Sequence, residues 1–372
     1  MDSLLLLTLI IALVFAAIGI SSPLMTLYLE ALGASYAQIA VILATVAAVS
    51  LFSSYGWGRA SDALGRRKPL IVAGLGGLIV TYLLLSQATS ATAAWVVRLI
   101  EAAFAAAYST ASLAFVGDLL AQRDRRGQRM GTYRGIGSLA FAGGAFVGGR
   151  LADALSLRTV FIACAVLYAL AAGVALLLRE TRVPPIERAA ATAEPGARSA
   201  PASMWPNYMA TLGHSNTTIS TLWGLAGLVE APALRLTGQL SDVMGRSVLL
   251  AAGGIGAAVV MLGYILLSRL LPALVGVQVV RGVVFAAYTG NAMTFAVESA
   301  DASTRGRHSG LFNTVTGAGQ LAGLLLGGTL AQTGGFPFMF AVFGAAGLLA
   351  GVCFLLLRGR ASVPRPPLPK PN

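Results

Sequence analysis

The 372-residue chain is 56% hydrophobic and 11% charged, with a mean hydropathy of +0.78 and a formal net charge of +12. Soluble domains carry about 25% charged residues, so this composition excludes a water-dissolved enzyme or a nucleic-acid-binding domain and places the chain in lipid. The basic excess gathers in short clusters between apolar runs, which marks those loops as cytoplasmic.

The first apolar run covers 4–20. No basic segment precedes it and no small-residue cleavage site follows, so it reads as a retained membrane helix and not as a signal peptide. Runs at 37–55 and 69–86 flank a charged hairpin, Gly58-Arg59-Ala60-Ser61-Asp62-Ala63-Leu64-Gly65-Arg66-Arg67-Lys68. The fourth run, 93–116, carries Arg98 and Glu101, which share a helical face and can neutralise each other. Alone, each charge would cost about 2.5–3.5 kcal/mol at a helix centre. Asp118 follows that run. Runs at 136–152 and 159–178 complete six spans, each near the roughly 20 residues that cross a bilayer. Tyr133 and Arg134 precede the fifth, and Gly144 to Gly148 has the G-x-x-x-G spacing of close helix packing.

The pattern then breaks. Residues 183–205 hold four prolines and four charged residues, a linker composition. Apolar runs resume at 216–234, 248–267, 272–297, 311–331 and 336–357, only five. Glu230 interrupts the first of these, Arg281 and Asn291 lie on the third, and Asn313 and Gln320 share a face of the fourth. Two readings stand for the buried charges. Glu101 or Glu230 is a proton-titrating carboxylate, or the charges are fixed structural pairs. Tyr28 and Tyr208 read as aromatics at the membrane–water boundary. Cys164 and Cys353 sit inside spans and His214 and His308 are isolated, so no metal site or disulfide is expected. No catalytic or cofactor motif is present.

The hairpin recurs. Gly238-Gln239-Leu240-Ser241-Asp242-Val243-Met244-Gly245-Arg246-Ser247 follows it at an offset of 180 residues. At the same offset Tyr28 matches Tyr208, Ser35 matches Ser215, Ile39 matches Ile219, Phe115 matches Phe295 and Asp118 falls on Glu298. After a one-residue slip, Gly144, Gly148, Gly149 and Leu151 match Gly323, Gly327, Gly328 and Leu330. The chain is therefore a duplication, the parallel repeat found in one class of transporters. Its units are residues 1–180 (six helices), 181–206 (a cytoplasmic linker replacing most of a seventh helix), 207–358 (the second half) and 359–372 (a proline-rich basic tail). Eleven spans conflict with the charge pattern, because everything after the linker would invert. A deletion, a partly spanning segment around 199–213 or a truly inverted second half each resolves the conflict, and a deletion is the expectation.

Gly58, Asp62, Gly65, Arg66, Arg67 and Lys68 meet every position of G-x-x-x-D-x-x-G-R-[KR]-[KR], the signature loop of the major facilitator superfamily, which the chain resembles over nearly its whole length. The second copy keeps Gly238, Asp242, Gly245 and Arg246. Chemically, Gly58 suits close helix approach, Gly65 a positive-φ turn, and Asp62 the capping of a helix N-terminus. The resemblance implies that this helix is the eleventh, near Gly310. It also implies a latch in which Arg66 meets Asp118 and Arg246 meets Glu298. Arg98 resembles the Arg of the family motif R-x-x-Q-G, with Glu101 and Ala102 in place of Gln and Gly, and Gly144 to Gly149 resembles the antiporter motif with Ala145 for Pro. The stretch from Pro23 to Gly33, and Glu230-Ala231-Pro232, look like those of sugar-efflux permeases.

The expected fold is thus an all-α polytopic membrane protein, two six-helix halves lacking helix seven. The expected function is secondary transport of a small solute by alternating access, proton-coupled, of sugar- or drug-efflux type, with multidrug efflux as the alternative. A transport-inactive sensor or scaffold is the alternative from another class. The expected setting is a monomer in the cell membrane with a cytoplasmic N-terminus, with lipid, proton and solute as partners and no cofactor or nucleic acid.

Overall fold

A computed structural model describes residues 3–120, 126–179, 200–298 and 305–358. Most of the linker, the tail, and the side chains of Asp62, Arg134, Asp242, Glu298 and Asn313 lie outside the described residues. All regular structure among them is helical: α1 (Ser3–Ser21), α2 (Met25–Ala31), α3 (Tyr36–Leu64), α4 (Lys68–Gln87), α5 (Ala91–Leu120), α6 (Arg126–Ala154) and α7 (Leu157–Leu176), then α8 (Ala200–Thr211), α9 (Asn216–Met244), α10 (Arg246–Leu267), α11 (Leu271–Glu298) and α12 (Arg305–Arg358).

Local chemistry sets several of the breaks. Ser156 and Ser215 cap α7 and α9, their hydroxyls accepting from the amides of Thr159 and Thr218 at 3.2 Å each. Each accepts a bond the first helical turn cannot make internally. Gly65 and Gly245, at φ +58° and +89°, turn the chain in the two hairpins. Gly335, at φ +80°, breaks α12 into two arms. Eight stretches are long and apolar enough to cross a bilayer. α6 and α9, of 29 residues each, and the second arm of α12 add three more helices of spanning length among the described residues.

The halves repeat in space as well as in sequence. α4 packs on α5 and α7, and α3 on α5; α10 packs on α11 and α12, and α9 on α11. Between halves, α6 meets α9, α12 meets α3, and α2 meets α8. Glycines let the helices close up, as small residues do where lipid gives no hydrophobic drive. A Cβ on Gly144 would run into the Ala16 carbonyl of α1, whereas Gly143 has open space. Gly144→Leu is expected to cost about 1–3 kcal/mol through overpacking, and Gly143→Leu nearly nothing. Thermal midpoints of the two purified variants in detergent check this.

Where the sequence suggested linker up to residue 206, the structure has α8 from residue 200. Met204, Trp205 and Tyr208 bury almost fully, with Trp205 5.7 Å from the Tyr264 ring and Tyr208 5.2 Å from that of Phe340. Apolar packing against the second half outweighs the proline at 206. Tyr28 and Tyr208 are likewise not boundary aromatics, being 2% and 6% exposed. Tyr28 Oη donates to the Leu85 carbonyl at 2.5 Å, and Tyr208 Oη lies 3.0 Å from Ser268 Oγ. The two tyrosines peg α2 to α4 and α8 to α10 in the same way, so α8 is the outer end of the seventh helix.

This placement removes the inversion. α9 begins beside the C-terminal end of α6, where the Asp153 carboxylate accepts from the amides of Asn216 and Thr217 at 3.1 and 2.8 Å. The second half therefore runs in the same sense as the first. Of the three resolutions, the inverted second half is the one this placement overturns.

Candidate functional site

A cavity of about 220 Å³ lies between the halves. From the first half, α1 and its exit supply Ser21 and Ser22, α2 Thr26, α4 Tyr82, and α5 Arg98 and Glu101; from the second, α8 supplies Ser203 and α9 Trp223. Ile18, Met25 and Leu43 complete the wall.

The cavity is polar at helices whose other faces are apolar, so each polar group must find a partner or a ligand. Arg98 Nη1 donates to Glu101 Oε2 at 2.5 Å, with side-chain exposures of 14% and 10%. The i,i+3 spacing makes this bond within one helix. Ser21 Oγ lies 3.2 Å from Tyr82 Oη, and Tyr82 packs 5.0 Å from the Tyr168 ring. Thr26 Oγ1 and Arg98 Nε are buried without a partner. In the second half, the Arg281 guanidinium, itself outside the cavity wall, stands 4.4 Å over the Trp223 ring while its Nη1 donates to Gln278 Oε1 at 3.1 Å. Gln278 and Arg281 lie 180 residues after Arg98 and Glu101. The repeat thus places an Arg–Glu pair on α5 and a Gln–Arg pair on α11.

The other sequence candidates lie elsewhere. None of Tyr133, Glu230, Asn291 and Gln320 lines the cavity. Tyr133 Oη pairs with Ser112 Oγ at 3.2 Å, and Asn291 is buried and donates to the Ala287 carbonyl at 2.8 Å. Glu230 and Gln320 are half-buried and engaged with neighbours. Trp223, Ser203, Tyr82 and the serine pair escaped the sequence reading. A Trp inside a span was the available signal for the first.

At the basic end, the hairpin departs from the expected pairing. Asp118 is met by Arg67, Nε to Oδ2 at 3.5 Å, and not by Arg66, which is exposed. Arg67 also donates to Ser61 Oγ, and Lys68 Nζ donates to the Leu176 carbonyl at the end of α7 at 2.7 Å. The Gly65 turn rotates Arg66 outward and Arg67 inward. Gly58 is no close-approach site, since a Cβ there would meet only Thr110 at an ordinary 3.7 Å, and Gly238 has open space. The Asp62 cap, the Asp242 cap and the Arg246–Glu298 pairing lie outside the described residues.

A family model described as Major Facilitator Superfamily matches residues 7–201 and 190–372. A Deinococcus radiodurans protein named "Putative sugar efflux transporter" is 27% identical over 377 residues, covering 92% of this chain and 95% of its own length. Among solved structures, the nucleoside transporter NupG superposes with a TM-score of 0.80 at 15% identity, over 96% of this chain and 99% of that one. The human organic anion transporter MFSD10 gives 0.64 at 16%, over 94% and 98%. At such identities the two structures speak for the fold.

Proposed function

The chain belongs to the major facilitator superfamily and is an integral membrane transporter, and from that premise we propose that it exports a small polyhydroxylated solute of the sugar class by alternating access, coupled to protons. The observation that carries this reading is the cavity wall. Ser21, Ser22, Thr26, Tyr82 and Ser203 share it with Trp223 and the Arg98–Glu101 pair. Sugar rings offer hydroxyls on their edges and C–H groups on their faces, which match this set. Sites for drug-sized ligands span roughly 300–1,000 Å³ and are mostly apolar, so a cavity of about 220 Å³ with hydroxyl-bearing, guanidinium and carboxylate residues in its wall favours a sugar over a drug. The relative named for sugar efflux supports the same choice.

Glu101 is the carboxylate in the described wall and serves as the proton-accepting group. A proton on Glu101 weakens its hold on Arg98 and frees guanidinium hydrogens for solute hydroxyls, linking the two ligands through one pair. The basic end, with Arg66, Arg67, Lys68 and Arg246, faces the cytoplasm by the positive-inside rule.

Proteoliposomes under an imposed pH gradient, offered a panel of labelled sugars and a panel of lipophilic cations, test the reading. Saturable sugar flux that collapses with the gradient is expected, and flux of the cations alone overturns it. Trp223→Ala is expected to raise KM at least tenfold with a smaller effect on kcat, because stacking holds bound solute as well as the transition state. Equal loss in both would deny Trp223 that role.

A further inference from the structure

The end of the molecule opposite the basic hairpins carries a duplicated contact of its own. Gly149-Arg150-Leu151-Ala152-Asp153 on α6 and Gly328-Thr329-Leu330-Ala331-Gln332 on α12 are the same pattern at the slipped offset of 179. Each reaches across to the other half. Asp153 Oδ1 accepts from the Asn216 amide at 3.1 Å and from Asn216 Nδ2 at 2.9 Å, and its Oδ2 accepts from the Thr217 amide at 2.8 Å. Gln332 Oε1 accepts from the Tyr36 amide at 3.0 Å. One turn earlier, a Cβ on Gly149 would come within 2.5 Å of the Asn216 carbonyl oxygen, and one on Gly328 within 2.5 Å of that of Tyr36.

The receiving ends are repeats as well. Ser35 and Ser215 each cap their own helix, accepting from the amides of Gln38 and Thr218 at 3.3 and 3.2 Å. The first turn of a helix leaves four amides unpaired, and one side chain satisfies only one or two. The Tyr36 amide of α3 and the Asn216 and Thr217 amides of α9 are supplied from the opposite half. A third bridge joins the halves between these arms, where Glu30 Oε2 accepts from Asn207 Nδ2 at 2.5 Å.

These contacts clamp the two halves together at this end, and we propose that the two arms of the clamp, Gly149–Asp153 and Gly328–Gln332, are unequal in chemistry, so that the Gln332 arm releases before the Asp153 arm. The physical basis is charge. A carboxylate at a helix N-terminus interacts with the positive end of the helix dipole, and hydrogen bonds to an ionised acceptor are about twice as strong as neutral ones. Gln332 offers neither advantage. Opening therefore begins where α3 meets α12 and turns about the α6–α9 contact.

The test uses the full-length chain with Cys164 and Cys353 replaced by Ala and a reporter cysteine at Ser203 in the cavity. Labelling by a membrane-impermeant maleimide is timed in vesicles of both orientations. Relative to the parent, Asp153→Ala is expected to speed labelling from the Asp153 face about tenfold and Gln332→Ala two- to threefold. Gln332→Glu, which gives the weak arm a charge, should slow it about threefold. Equal effects of the two alanine variants overturn the inequality, and no effect of either overturns the clamp. Should Asp153→Ala fail to purify as a monodisperse species, Gln332→Glu decides alone: labelling unchanged or faster overturns the proposal.

Discussion

Arg98→Ala is expected to abolish measurable transport, and the paired change Arg98→Leu with Glu101→Leu to restore yield in the membrane without restoring flux. The two side chains form an ion pair that is 14% and 10% exposed. Removing one partner of such a pair leaves an uncompensated charge and costs about 3–5 kcal/mol, or roughly two to four decades in an equilibrium. Replacing both with apolar groups often recovers the stability. A merely structural pair would therefore let the double variant work. One that meets solute and proton would not, because the cavity would have lost its cation and its carboxylate together. Glu101→Gln separates the two duties: it should keep some exchange of solute down its gradient while erasing the dependence of that exchange on pH. Radiolabelled flux normalised to protein in the membrane reads all three variants, and wild-type flux from Arg98→Ala would end this account of the site.

Arg67→Ala is expected to cut initial transport rates at least tenfold and Arg66→Ala less than twofold, although the two residues are adjacent and alike in charge. Arg66 faces solvent, whereas Arg67 is 8% exposed and sits between Ser61 on α3 and Asp118 on α5. An exposed charge contributes little to stability, typically below about 1 kcal/mol. A buried guanidinium that joins two helices of the bundle holds the orientation of both. The comparison needs surface expression measured beside uptake, and the reverse ranking of the two variants would overturn this role for Arg67.

That ranking marks a limit on what the chain discloses as letters. The hairpin signature, the 180-residue repeat, the eleven spans and the parallel halves were all legible, because hydropathy and spacing are properties of a run and survive small errors. Which of two neighbouring arginines turns inward is a matter of one residue of rotation after Gly65, about 100° on a helix, and no periodicity encodes it. Arg98 and Glu101 were legible because their partner lies three residues away. Ser203 and Trp223 were not, because their neighbours in the cavity wall lie up to two hundred positions distant. Tyr28 and Tyr208 were misread for a related reason. Aromatics near a span end are usually at the boundary, and only the carbonyl of Leu85 and the hydroxyl of Ser268 reveal that these two point inward. The α8 segment looked like linker since its prolines weigh against a helix, while the aromatic pocket that overrides them comes from later residues.

That order of events along the chain bears on biogenesis. A 12-residue helix spans about 18 Å at 1.5 Å per residue, little more than half of a hydrocarbon core of about 30 Å. The residues before it carry prolines and charges, so α8 is too short and too poorly led to be inserted by the translocation machinery on its own hydrophobicity. The aromatic and hydroxyl groups that pack on it from the second half, Trp223 on α9 and Tyr264 and Ser268 at α10, follow it along the chain and leave the ribosome after it does. Until those helices arrive, α8 has only the first half to hold it, through Asn207 on Thr26 and Glu30 of α2, so its final seat is completed after α9 and α10 have entered.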